Sequence, residues 1–236
     1  MLLPTAERAL EAYGGASRWK AAARIEATVT TGGLLHVMKL RRPLHNAGLV
    51  MAVSEPKITL SPIDGANLTG VLDGAAVRLE DQTGSTVQSR DNPRALFPGG
   101  RRQFYWDLLD FTYFAGYAFW NYFCLPALLL RDDINWSEPA ANTLVGEFPD
   151  SLPTHCRTQQ FHFDESTGLL RQHDYTPDAI GQWAKAAHVV LKHSESDGIP
   201  YTASRRVTPR KRDGRPSSLP VLVWIEVREW KLVAGD

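Results

Sequence analysis

Asp110 is the only formally charged residue between Leu108 and Leu130. A carboxyl group set among apolar side chains is disfavoured as an anion, and that is how general acids and bases are tuned. His173 and His188 are the second pair that could move a proton. They fall on consecutive expected strands, separated by "TPDAIGQWAK". If Tyr175 pairs near Ala186, the two imidazoles stand opposite one another on one sheet face; a slip of one residue separates them. So placed, they could hold a metal or, with Asp110 or a tyrosine, do acid–base work. Each also has a plainer reading. Asp107 and Asp110 suit the positive end of a helix, and strand histidines are commonly just hydrogen-bonded. Asp174 follows His173 directly, so strand alternation sends its side chain to the other face.

The residues that could bind a ligand lie around Asp110. Eleven of the chain's 23 aromatic residues fall between Phe104 and Phe123. At roughly 100° per residue, Trp106, Asp110, Tyr113, Tyr117, Asn121 and Cys124 share one arc of about 80°. Phe104, Leu108, Phe111, Ala115, Phe119 and Tyr122 lie opposite. One stripe is aromatic with polar tips and the other is greasy. A membrane span fits poorly: a central Asp costs about 2.5–3.5 kcal/mol on insertion scales, and tyrosines belong at the two interfaces of a span. Pro126 also interrupts the helix. A filled core helix and a pocket wall both remain open. On the pocket reading, Trp106, Tyr113, Tyr117 and Trp120 line a cavity, with Asp110 and Asn121 orienting a polar group.

Other signals exclude more than they assign. None of the seven histidines forms a tight metal signature. No phosphate-loop, dinucleotide or nucleophile-elbow motif occurs, so no cofactor is expected. Cys124 and Cys156 are too few for a disulfide scaffold and read as free thiols. Lys+Arg and Asp+Glu both number 26, so no global field favours nucleic acid. Six basic residues between Arg205 and Arg215 read as a solvated hairpin tip, with an anionic surface or ligand headgroup as the alternative. Pro4, Glu7 and Arg8 break up the start of the chain, which reads as cytoplasmic, without a secretory signal.

The elements that would position these groups are mostly strands. Pro4 to Tyr13 and "RWKAAA" read as short helices closed by Gly14-Gly15 and opened by Ser17. Period-2 alternation begins at "RIEATVT" and continues through "LLHVMKL", "HNAGLVMAV", "KITLSPI", "ANLTGVLD", "AVRLED" and "TVQSR". Strands resume after "EPAANTLVGEFPDSLP" with "THCRTQQFHF", "GLLRQHDY", "AKAAHVVLKHSES", "PYTASRRVTP" and "PVLVWIEVREWKL". The class is α+β: a single domain over 1–236, one antiparallel sheet, and an aromatic helical insertion at about 101–133.

"FHFDESTGLLRQHDY", "SDGIPYTASRRV" and the opening "AYGGASRWKAAARIEATV" together resemble the bacterial lipoprotein-carrier superfamily, the LolA-like half-barrels. The resemblance spans most of residues 10–230. It implies a strongly curved antiparallel sheet closed by helices around an apolar cavity. The expected partner is a hydrophobic small molecule, lipid-, terpenoid- or polyketide-like, held by a carrier or binding protein. The alternatives are a cofactor-independent isomerase, lyase or cyclase using Asp110, His173 and His188 in the same cavity, and an interaction domain with a filled core. No transmembrane segment is expected, and the oligomeric state is open.

Overall fold

The computed structural model describes residues 2–65 and 67–235. Ala66, first residue of the expected strand "ANLTGVLD", lies outside them, as do both ends of the expected domain. Among the described residues the strands are β1 (Ala22–Gly32), β2 (Ala47–Ala52), β3 (Lys57–Ser61), β4 (Thr69–Asp73), β5 (Ala76–Glu80), β6 (Thr86–Asp91), β7 (Asn135–Ala140), β8 (Thr143–Glu147), β9 (Thr158–Phe163), β10 (Leu170–Tyr175), β11 (Ala186–Ser196), β12 (Ile199–Pro209) and β13 (Val223–Ala234). All thirteen form one antiparallel sheet, in the order β6-β5-β4-β3-β2-β1-β13-β12-β11-β10-β9-β8-β7. Two meanders are therefore joined where the first strand meets the last, Ala27 opposite Trp230. The sheet is not closed. The edge strand β6 is short and polar, which discourages pairing with other chains.

The alternation read in β1 is the burial pattern itself: Ile25, Ala27 and Val29 are buried and their neighbours are not. The segment "LLHVMKL" differs. It is a short helix, α3 (Leu34–Met38), rather than a strand. Gly33 turns the chain at φ 118, and the Leu34 and Leu35 amides donate to Val221 O and Leu222 O instead of to a neighbouring strand. A run of apolar residues this short fits either period. The hairpin β7–β8 was not expected; Asn142, left-handed at φ 62, makes its turn.

Helices cover the sheet. α1 (Pro4–Ala12) and α2 (Ala16–Ala21) are anchored by the buried Trp19, whose indole donates to Tyr13 O at 2.8 Å. α4 (Leu108–Phe123) breaks at Cys124 and α5 (Leu125–Leu128) comes next, with Pro126 in its first turn. Among the described residues no helix is long and apolar enough to cross a membrane. α4 lies close on β3–β5 because glycine allows it. A Cβ on Gly116 would sit 2.9 Å from the Leu72 Cβ, and one on Gly70 would sit 2.6 Å from the Thr112 Oγ1. Gly116→Val is expected to destabilise by about 1–3 kcal/mol through overpacking. The check is a lower urea midpoint with an unchanged slope.

A candidate ligand-binding cleft

The site begins with the start of α4. Asp107 caps the helix by accepting from the Asp110 amide at 2.8 Å, and Asp110 reaches back to the Asp107 amide at 3.2 Å. This is a reciprocal capping box. Around it stand three arginines. Asp110, fully buried, accepts from Arg90 at 2.6 Å and Arg102 at 2.8 Å and lies 3.0 Å from Arg101. Asp107 pairs with Arg90 at 2.7 Å and with Arg101. Burial pushes the Asp107 carboxyl up, but the bonds from Arg90 and the Asp110 amide and the arginine charges outweigh it. Its pKa ends well below the usual carboxylate range.

α4 is buried all round, which suits its almost uniformly apolar sequence. Three faces have different neighbours. Thr112, Gly116 and Trp120 face the sheet, with the Trp120 indole donating to Ala52 O at 2.9 Å. Tyr113, Tyr117 and Asn121 face the loops: Tyr113 stacks on Phe97, and Asn121 donates to Tyr117 O and Pro153 O and accepts from Thr154. The third face carries Phe111, Phe114, Ala115, Ala118, Phe119 and Tyr122. It lines a cleft of about 380 Å³ between α4, α3 and the strands β12 and β13.

Trp106 belongs to the cleft wall. Tyr113, Tyr117, Trp120, Asn121 and Asp110 do not; they fix the helix from its other sides. The wall comes from the greasy stripe, opposite the polar-tipped one. Across the cleft stand Leu34, Leu35 and Met38 of α3 and Val207, Val223 and Ile225 of the sheet. Trp183, 74% exposed, and the exposed Leu34 and Met38 also contribute to the lining.

A polar cluster lies at the inner end. His173 stands directly opposite His188, and Tyr175 opposite Ala186. The two imidazole centroids are 6.5 Å apart. His173 bonds Gln159 Oε1 at 2.8 Å, and His188 lies edge-on to the Tyr122 ring at 4.4 Å. The Tyr122 hydroxyl meets His155 Nε2 at 2.7 Å and the Tyr175 hydroxyl at 2.8 Å. Asp174 turns the other way, to His162 and Arg210. Burial, then the charge of Arg205, pushes His155 down to about 3. Burial and then His155 and Arg205 hold His173 well below its usual value, and burial and then Arg205 do the same to His188. All three are therefore neutral near pH 7. No three metal-ligating side chains meet in metal-holding geometry among the described residues.

His155 and Arg205 escaped the sequence reading as members of this cluster. His155 carries no periodic signal, being in a loop. Arg205 heads a basic run expected to be solvated, yet it is 1% exposed. Its place next to the alternating "PYTAS" was the usable clue, since the inward face of a strand continues through it.

Solved structures share this architecture along nearly the whole chain. A LolA superfamily protein from Nitrosomonas europaea aligns with a TM-score of 0.52 and 9% identity, over 99% of this chain and 96% of that one. A DUF1329 family protein from Desulfovibrio piger aligns with a TM-score of 0.51 and 10% identity, over 97% and 91%. A provisionally assigned outer membrane lipoprotein-sorting protein domain from Vibrio parahaemolyticus aligns at 0.46 and 8% identity, over 96% and 93%. At such identities the likeness is one of fold, and the fold is LolA-like. No family model matches the chain, and no curated protein matches its sequence. The expectation of a cytoplasmic chain is not upheld: the finding against it is the fold shared with a LolA superfamily protein over 99% of the chain. That expectation rested only on Pro4, Glu7 and Arg8 interrupting the first residues.

Proposed function

We propose that the protein holds an apolar small molecule, lipid-, terpenoid- or polyketide-like, in the cleft beside α4 and acts as its carrier or binding protein. The observation that carries this reading is the cleft wall: a row of aromatic and small apolar side chains from one helix face, opposed by apolar residues of α3 and the sheet. Its volume lies in the range of pockets for small organic ligands. Trp106 sits in that wall. Tyr113, Tyr117, Trp120 and Asn121 serve it indirectly, by holding α4 in place.

Acid–base catalysis on the same ligand is a second reading. It is favoured by the His155–Tyr122–Tyr175 hydrogen-bond chain, since Tyr122 and Tyr175 both line the cleft. His173 and His188 would act behind them. Asp110, held by three arginines away from the cleft, has no part in that version.

The test is displacement of an apolar naphthylamine dye, with native mass spectrometry of the purified protein for a retained ligand. Ala118 lines the cleft, so Ala118→Trp fills it. That variant is expected to fold and to bind the dye about tenfold or more weakly, as lost apolar burial of this size implies. A protein that retains no ligand and binds no apolar probe refutes the reading, as does a dye affinity that Ala118→Trp leaves unchanged.

A further inference from the structure

The wall at the inner end of the cleft conceals a guanidinium that no hydrogen-bond acceptor answers among the described residues. Arg205 is buried on β12, and its Nε and both terminal nitrogens lack a hydrogen-bond partner among the described residues. Its guanidinium lies 4.5 Å from the centre of the Tyr122 ring. Its charge is felt by Tyr122, Tyr13 and Tyr175 and by His155, His173, His188 and His193, and among the described residues no carboxylate pairs with it. Beside it, both ring nitrogens of His188 are also buried and unpartnered. Proteins rarely leave buried donors unsatisfied, and an unpaired buried charge is among the most costly features a fold can carry. A guanidinium offers a planar fork that matches a carboxylate or a phosphate.

This fork lies next to the cleft. Arg205 stands opposite Ile225, and His188 stands opposite Val207, two residues from Arg205. Both Ile225 and Val207 line the cleft, as does Tyr122. Tyr122 also walls a void of about 20 Å³ on its far side, together with Tyr13, Tyr201, Thr202 and Trp230. The Tyr122 ring therefore touches both the guanidinium and the ligand space. The charged residues that line the cleft are Lys39, Arg41 and Lys185, and no Asp or Glu is among its lining. Such a wall attracts an anion and repels a cation. Two of the three are already engaged: Lys39 donates to Arg102 O and Gln103 O, and Arg41 pairs with Asp64.

We propose that Arg205, with His188, receives the anionic head of an amphipathic ligand, a carboxylate or a phosphate monoester, whose apolar tail fills the cleft. Tyr122 turns aside to admit the head. The inference rests on the apolar-ligand reading above and specifies the chemical class of its ligand. Lys185 supplies long-range attraction at the cleft wall.

Dye displacement by dodecanoate, dodecyl phosphate, dodecanol and dodecylamine tests it. Wild-type protein is expected to bind the two anions about tenfold or more tightly than the alcohol, and the amine least. The tighter anion identifies the headgroup. Arg205→Met abolishes the preference and leaves dodecanol affinity unchanged. Binding of neither anion more tightly than the alcohol by the wild type overturns the inference while leaving the cleft reading intact. So does an acid preference that survives Arg205→Met, since the head would then sit at the other cations. If none of the four displaces the dye, the cleft reading itself fails. Should Arg205→Met not fold, a crystal structure of the wild type with dodecanoate decides: a carboxylate within hydrogen-bond distance of Arg205 supports the site, and one elsewhere overturns it.

Discussion

Asp110→Asn lowers the unfolding free energy by about 3 kcal/mol, the lower end of the loss caused by removing one partner of a buried ion pair. Asp110 is fully buried and answers three guanidinium groups, so the neutral amide leaves Arg90 and Arg101 with Asp107 alone and takes from Arg102 its carboxylate partner. The arginine side chains are between 13% and 42% exposed. They can turn partly to water, which is why the lower end applies. Asp107→Asn costs less, because that carboxylate is 29% exposed and asparagine caps a helix about as well as aspartate. Urea unfolding of the two variants gives the ranking. The folded fraction of Asp110→Asn keeps wild-type affinity for the apolar dye, since Asp110 is not part of the cleft wall. A loss of affinity at unchanged stability would reverse both expectations.

The buried Asp110 also marks where sequence and structure part. Strands such as β1, β2, β5 and β9 were legible because their burial alternates with period two, whereas α3 passed for a strand and β7 carried no such signal. The His173–His188 register depends on one conditional pairing, Tyr175 with Ala186, which the sheet adopts. The aromatic helix was legible as a helix, and its two stripes are real. Which stripe faces empty space was not, because the helix is buried on every side and both stripes find apolar neighbours. The polar tips suggest a ligand, yet Asn121 meets Pro153 O and Asp110 meets arginines. Arg205 was illegible for the opposite reason. A basic run near a hairpin tip reads as solvent-facing, and only the pleat of β12 turns its first member inward.

The buried histidines predict a steep loss of stability as pH falls from about 6.5 toward 4. An unfolded chain protonates histidine near pH 6.5. In the folded protein burial, joined by the Arg205 charge, holds His155 down to about 3 and His173 and His188 well below their usual value. Between those limits the unfolded state binds more protons, so unfolding gains ground as pH drops. Stability is fully present above about pH 6.5 and is lost as pH falls toward the folded-state values. Each histidine contributes a slope of about 1.4 kcal/mol per pH unit. His155 alone removes about 2 kcal/mol by pH 5, and His173 and His188 add to the loss in the same direction. His36 and His193, each pushed down to about 4 by burial, add to the same window. Two carboxylates act elsewhere: Asp107, bonded by Arg90, and Asp164, bonded by Ser166 and Thr167, are held below their ordinary value, so their contribution is present above it and lost only at more acid pH. Urea unfolding at pH 7, 6 and 5 separates the windows. His188→Gln, which removes one buried imidazole from this linkage, reduces the slope by about 1.4 kcal/mol per unit. A stability that stays flat between pH 7 and 5 would mean that the cluster takes up protons while folded, and the account of a dry histidine–arginine floor beneath the cleft would fall with it.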